Sequence, residues 1–526
     1  MIVCPQQLAA EAGKEMLASG GNAADAAIAA AFVQGVVDPF LCGLGGMGIM
    51  YVHHGPSGQR AVIDGYSAIG SVAPPREWAE NYVGRLETYG RHVIRGADNQ
   101  GSYRSIMIPG FVRGLGQLYR RFSSGALPWS CLLQPAIRVA EEGFIVSDRL
   151  SAGWHSDESS PGRMSKAARF RTSPDAESIY GRPRLPGELF RQEDCGKTLR
   201  RLAENGAEDF YTGEIGRELA GDLVRGGALL TEADWQGYRV LNPPPLSAAY
   251  RGFEVVGPPV GASTALVMEM LQVAEGFDIA SLDPLGPDYV DLICEIMRIG
   301  FTDQVPIKLD GPYLQALHLI HELTSKEHAE SVQGCIRKGR RGFEIGTTHL
   351  NAADSDGTVI AFTHSIGDYA GSGVVSPGMG FLYNNFIGHY NPLPNQWDSI
   401  VPGKRGVGGS PTVLYRDGRP YLAAGAPGGS RIITAVVQTI LNVVERGMNA
   451  QSAVSAPRCH SEETNVIFIE DAFPESTVTE LTSKGYDVRR TNQVALAQAI
   501  VIGADGSFDG GSDPKGGGGK ASYDGP

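Results

Sequence analysis

Residues 346–363 read GTTHLNAADSDGTVIAFT, and the fold expected for the 526-residue chain depends on this stretch. Two strand-like runs flank a turn from Asp354 to Gly357, and the alternation in VIAFTHSI (359–366) suits a sheet. The preceding KGRRGFEIG (338–346) is basic and broken by glycine, which is linker chemistry. Gly346-Thr347-Thr348-His349 thus stands where a linker meets a strand. A threonine hydroxyl at its ordinary pKa is a poor nucleophile and needs a base beside it. When threonine is the first residue of a chain, its own α-amine, with a pKa of about 7.7–8.0, can serve. Internal Thr347 reaches that state only if the Gly346–Thr347 bond is cut, and the glycine lowers steric resistance to attack by the hydroxyl on its own preceding carbonyl. On spacing alone, the same residues also fit the plain start of a strand.

Downstream, PTVLYRDGRPYLAAG (411–425) carries a second hairpin signal at Asp417-Gly418, and VIFIE (466–470) and AQAIVIGADG (497–506) read as further strands. RIITAVVQTILNVVERG (431–447) has the 3.6-residue apolar period of a helix. The first half is helix-rich. NAADAAIAAAFVQGV (22–36) starts at a plausible Asn22 cap, and helical periodicity recurs at 131–144, 196–206, 215–227 and 265–277. LCGLGGMGIMYV (41–52) is a glycine-dense loop feeding a buried strand, and the tail from 510 to 526 is too glycine-rich to be expected to pack and is expected to be mobile at its end.

A formal net charge of −13 argues against a nucleic-acid or anionic-membrane partner, because phosphate binding needs a concentrated basic face. No run approaches 18 apolar residues, so no membrane span is expected, and small molecules are the expected ligands. Seven scattered cysteines without a CxxC pair suggest neither a disulfide framework nor a zinc site. The opening MIVCPQQLAAEAG has no basic region followed by an apolar run, so a cytoplasmic location is expected, or secretion if the N-terminus is incomplete.

Several stretches in order resemble the γ-glutamyltransferase (γ-glutamyl transpeptidase) family of N-terminal-nucleophile hydrolases over nearly the whole chain. They are GGNAADAAIAA (20–30), GLGGMG (43–48), IPGFVRGL (108–115), LQPAIRVAEEGFIVSD (133–148), YRGFEVVGPP (250–259), TSKEHAE (324–330), TTHLNAADSDGTVIAFT (347–363), GAPGGSRI (425–432), APRCH (456–460) and GGSDP (510–514). The resemblance implies an α+β fold, the four-layer αββα sandwich. It also implies a large subunit from 1 to 346 and a small one from 347 to 526, which together form a heterodimer and one αββα unit after self-cleavage. Thr347 would be the nucleophile both for self-cleavage after Gly346 and for catalysis. Gly428 and Gly429 would supply the N–H donors of an oxyanion hole, Ser365 would bond the nucleophile, and Thr348 would neighbour it. The implied activity is cleavage of a γ-glutamyl amide, glutathione or a glutathione conjugate, with no cofactor.

The family's amino-acid-binding residues do not carry over cleanly. Its arginine before an Ala-Pro, suited to gripping a carboxylate with both N–H arms, finds none in GYSAIGSVAP (65–74). Its asparagine is missing near Gly367, its aspartate falls near His389, and its paired serines are replaced by Gly408-Gly409. These departures weaken the glutathione reading and raise the alternative of an acylase acting on another acyl amide, with His389, Tyr390, Lys404 and Arg405 as candidate replacement substrate contacts. They also leave open an unprocessed pseudoenzyme used as a scaffold. GLGGMG has a helix before it and a strand after it, the reverse of a dinucleotide loop. His318-x-x-His321-Glu322 lacks a third metal ligand and reads as a surface helix, and no G-x-S-x-G elbow occurs. His349 is read as structural.

Overall fold

Side-chain alternation along the strands decides how the layers stack. In a computed structural model the protein is described over residues 1–85, 91–96, 98–156, 164–259, 261–307, 320–333, 346–396, 398–462 and 465–523. The basic stretch before Gly346 and His318 therefore lie outside the described residues. One six-stranded sheet has the order Lys520–Ala521, Ile2–Val3, Gly346–Ala353, Val359–Gly367, Met47–His54, Gln59–Gly65. The other runs Phe508–Ser512, Gln498–Ile502, Arg419–Gly425, Thr412–Arg416, Phe253–Gly257, Leu246–Tyr250. Every neighbouring pair in both sheets is antiparallel. Each sheet takes strands from both sides of residue 346, so the two parts of the chain share one core.

Ile49, Tyr51, Val359 and Ala361 of the first sheet and Val256, Val413, Ala423 and Ile500 of the second form one buried cluster between the sheets. Their sequence neighbours Met50, Val52, Ile360 and Phe362 face away, against the helices Gln7–Ala18 and Ala23–Val37. Val255, Leu414, Leu422 and Ala424 likewise meet the helices Thr264–Ala274 and Arg431–Val444. The period of two thus produces four layers, helix, sheet, sheet, helix. No helix among the described residues is long and apolar enough to cross a membrane.

The elements foreseen from the sequence are present. Asn22 caps Ala23–Val37 in a reciprocal box with Asp25, and that helix is alanine-rich because nearly every side of it is buried. The Asp354 carboxylate of the first hairpin turn accepts the Ala23 N–H at 2.8 Å, which fixes the hairpin to the helix start. Asp417 and Gly418 both adopt positive φ, +50° and +76°, as a tight hairpin turn requires.

The tail differs from expectation. Phe508–Ser512 is an edge strand and Lys520–Ala521 pairs with Ile2–Val3. Glycine here permits close approach instead of motion: a Cβ on Gly519 would lie 2.6 Å from the Cys4 carbonyl oxygen, and one on Gly511 would overlap the Ala450 carbonyl. Asp513 is buried against Arg458, which anchors the segment between these strands.

Candidate active site

Gly346 pairs with Gly367 and Thr348 with His364, so Thr347 lies opposite two residues, Ser365 and Ile366, where the paired strand bulges. Two residues on, His349 faces the second sheet: a Cβ on Gly425 would overlap its imidazole. Strand alternation puts Thr347 on that same inner side, where it is 6% exposed. Ser365 lies on the paired strand and its Oγ accepts the Gly367 N–H at 2.9 Å.

Thr348 points the other way. Its Oγ1 accepts from Gln34 Nε2 at 3.1 Å on the helix side of the sheet, so its side chain and that of Thr347 are on opposite faces. Gln34 Oε1 in turn accepts from His364 Nε2 at 2.9 Å.

Along the same strand runs a buried hydrogen-bonded chain that the sequence did not reveal. Asn351 Nδ2 donates to the Gln498 carbonyl at 3.1 Å, so its Oδ1 accepts from His349 Nε2, also at 3.1 Å. His349 Nδ1 is then the acceptor of the Thr363 Oγ1 proton at 2.9 Å. The imidazole is held as one neutral tautomer, and burial pushes its pKa from 6.5 down to about 4, with the Asn351 hydrogen bond opposing. His364, stacked on Phe362 at 4.6 Å, is pushed down to about 3, first by burial and then by His349.

The sign of the consequence follows from proton counts. As pH falls below 6.5 the unfolded chain protonates both histidines, while the folded one holds His349 neutral to about 4 and His364 to about 3. The unfolded state binds more protons in that window, so stability falls with pH, by at most about 1.4 kcal/mol per unit for each histidine. Urea midpoints measured from pH 7 to 4.5 are expected to decline, and to decline less steeply in His364→Gln; equal slopes in the two proteins would refute the assignment.

One loop reaches this strand pair directly. A Cβ on Gly409 would come 2.9 Å from Thr363 Cβ, so this glycine touches the hydrogen-bonded chain of His349. Gly408 donates its N–H to the Gly261 carbonyl at 2.9 Å, and its own carbonyl accepts the Tyr66 hydroxyl. His389 ends the turn Phe386–His389 and stacks on Phe386 with centroids 5.5 Å apart. The Tyr390 hydroxyl donates to the Arg405 carbonyl, and the Lys404 ammonium lies 5.2 Å from the Tyr390 ring centre. Arg405 is committed elsewhere: Nη2 donates to Asp64 Oδ1 at 3.1 Å and to the Asp64 carbonyl at 2.9 Å, and Nη1 to the Arg239 carbonyl at 3.0 Å.

Across the sandwich, Gly428 and Gly429 follow the strand Arg419–Gly425 and precede the helix Arg431–Val444. Their φ values, +137° and +67°, are ones that L side chains rarely adopt. Among the described residues neither N–H donates a hydrogen bond within the protein. Two donors at a helix N-terminus, reinforced by its dipole, form a site for negative charge.

Arg91 and Asp368 were also missed by sequence reasoning. Asp368 directly follows Gly367 and accepts from Arg91 Nη2 at 2.7 Å, Arg169 Nη2 at 3.1 Å and Asn385 Nδ2 at 3.0 Å. Arg91 is 1% exposed, and its Nη2 lies 3.6 Å from where a Cβ on Gly367 would be. A guanidinium therefore does stand beside the strand that pairs with Gly346, but it comes from residue 91, outside the segment 65–74, and a carboxylate of the protein holds it. Asp368 keeps Arg169 and Asn385 as partners when Arg91 is removed, so Arg91→Met is expected to cost about 1–3 kcal/mol in urea unfolding, the loss of buried hydrogen bonds to a charged group. A loss under about 1 kcal/mol would show the pair to be solvent-screened.

Four αββα layers, with a buried threonine at a strand start and two glycines at positive φ before a helix, form an N-terminal-nucleophile hydrolase fold. The gamma-glutamyltranspeptidase family model matches residues 9–523, and the chain belongs to this family of enzymes. It is 32% identical to the acylase ACY 1 proenzyme of Pseudomonas sp. (strain V22), covering 97% of this chain and 91% of that one. It is 30% identical to a glutathione hydrolase proenzyme of Pseudomonas sp. (strain A14), covering 96% and 89%. The crystal structure of cephalosporin acylase from Bacillus halodurans superposes with a TM-score of 0.85 at 27% identity, over all of this chain and 96% of the other.

Proposed function

We propose that the chain cuts itself between Gly346 and Thr347 and then transfers an acyl group from an amide, through an ester on Thr347, to water or an amine. The reading is supported by Thr347, buried at a strand start opposite a bulge, and by a turn before a helix whose two N–H groups donate no hydrogen bond among the described residues. The freed α-amine takes the hydroxyl proton as Oγ1 attacks the amide carbonyl. Gly428 and Gly429 N–H groups bond the developing oxyanion. The C–N bond breaks and the leaving amine takes the proton, after which water or a second amine attacks the ester carbonyl and releases Thr347. The residues from 347 to 526 then form a small subunit locked to the large one through both sheets. His349, neutral and bonded at both nitrogens, supports the hydroxyl framework and takes no proton. Thr348 serves as an anchor to Gln34 on the far face.

The acyl group we propose is one without a free α-amino-acid head. Arg405 and Arg91 are each held by a carboxylate, and Gly408 and Gly409 offer no hydroxyl to an α-carboxylate. The similarity to acylase ACY 1 and to cephalosporin acylase points the same way. Glutathione hydrolysis is the second reading, carried by the similarity to glutathione hydrolase proenzymes. Release of p-nitroaniline from glutaryl- and γ-glutamyl-p-nitroanilide divides them: the first is expected to be cleaved with at least about tenfold higher kcat/KM, a difference of about 1.4 kcal/mol. The reverse preference would establish the second reading.

A further inference from the structure

APRCH (456–460) and GGSDP (510–514) have no part in the chemistry above, yet they are linked to the Gly428–Gly429 turn through Ala495. Arg458 pairs with Asp513, each fully buried, and its Nη2 donates to the Ala495 carbonyl at 3.0 Å. A Cβ on Gly428 would meet Ala495 Cβ at 3.1 Å, so this segment backs the turn on one side. On the other side Ser430 Oγ donates to Glu462 Oε1 at 2.7 Å. The same oxygen accepts from His460 Nε2 at 2.9 Å, and His460 Nδ1 is 3.0 Å from Thr434 Oγ1 in the first turn of the helix Arg431–Val444. The turn is thus held between two buried struts.

Glu462 is the unexpected member. Glu462 is 6% exposed, and a buried carboxylate close to a site meant for an oxyanion is unfavourable by simple repulsion unless its charge is taken up. Here two donors converge on one oxygen, and one of them, Ser430, immediately follows Gly429. We propose that Glu462 is a positioning residue: through Ser430 it sets the direction of the Gly428 and Gly429 N–H groups, with His460 holding the carboxylate in place. The inference rests on reading that turn as the oxyanion hole. Backbone donors contribute only when aimed at the position the oxyanion will occupy, and a displacement of about 1 Å can cost on the order of a hundredfold in rate.

The pre-steady-state burst of p-nitrophenolate from p-nitrophenyl acetate reports acylation of Thr347 whatever acyl group the enzyme prefers. Glu462→Ala and Ser430→Ala are each expected to slow the burst by about tenfold to a hundredfold with little change in the ester concentration at half-saturation. The double variant is expected to be no slower than the slower single one, because both remove the same link. Glu462→Gln, which keeps an acceptor oxygen for Ser430, is expected to return the burst to within a few-fold of the unmodified protein. An unchanged burst in Ser430→Ala, additive effects in the double variant, or Glu462→Gln as slow as Glu462→Ala would overturn the proposal. If Glu462→Ala fails to fold, Ser430→Ala and Glu462→Gln still decide it. Unmodified protein with no burst at all would instead overturn the acyl-transfer reading.

Discussion

Thr347→Ala is expected to leave one chain of 55.9 kDa on a denaturing gel, and the unmodified protein is expected to run as two fragments of roughly 37 and 19 kDa, in proportion to length. Acyl transfer is expected to fall at least about a thousandfold, because alanine supplies neither the attacking hydroxyl nor a route to the free amine that activates it. The hydroxyl is wanted twice, once against the Gly346 carbonyl and once against substrate. Thr347→Ser separates the two uses from simple steric need, since it retains the hydroxyl and is expected to process and turn over more slowly. The fold should survive Thr347→Ala, because the same strands pair whether or not the chain is cut. N-terminal sequencing gives the decisive readout: amide-cleaving activity in a preparation with no species beginning at Thr347 would sink the mechanism, and an uncut chain in the unmodified protein would point to a scaffold.

The second large effect is expected at the Gly428–Gly429 turn. Gly428→Ala should lower kcat by about a hundredfold to a thousandfold with a much smaller change in KM, as expected when a donor serves the transition state and not the ground state. The reason is conformational. At φ +137° an L residue is strained wherever the space is sufficient, and here the added Cβ would also meet Ala495 at 3.1 Å, so the turn must rotate and carry its N–H away from the substrate. Self-cleavage uses the Gly346 carbonyl and should be slowed less. Steady-state kinetics on the p-nitroanilides checks this, and equal losses in kcat and 1/KM would argue that the turn binds substrate without stabilising charge.

Much of this architecture was legible from residues alone, for reasons that lie in local physics. The alternation in VIAFTHSI, the Asp417-Gly418 turn and the Asn22 cap each encode a backbone geometry within a few residues, and each appears as read. The tail was misjudged because composition does not distinguish glycine used for freedom from glycine used for contact. That distinction needs the neighbour, here Cys4 and Ala450, hundreds and tens of residues away. Thr348 was grouped with Thr347 by adjacency, whereas a strand sends consecutive side chains to opposite faces.

The sequence by itself determined the strand that carries Thr347, its hairpin partner and the glycine pair before a helix, because hydrophobic period and turn chemistry are local properties of the chain, while the four-layer order came from the resemblance to a family. Tertiary structure alone decided which distant groups meet there. Arg91 with Asp368, Asn351 with His349 and Glu462 with Ser430 are pairings whose strength depends on burial and on distances of about 3 Å between elements far apart in sequence, and no spacing rule along the chain carries that information.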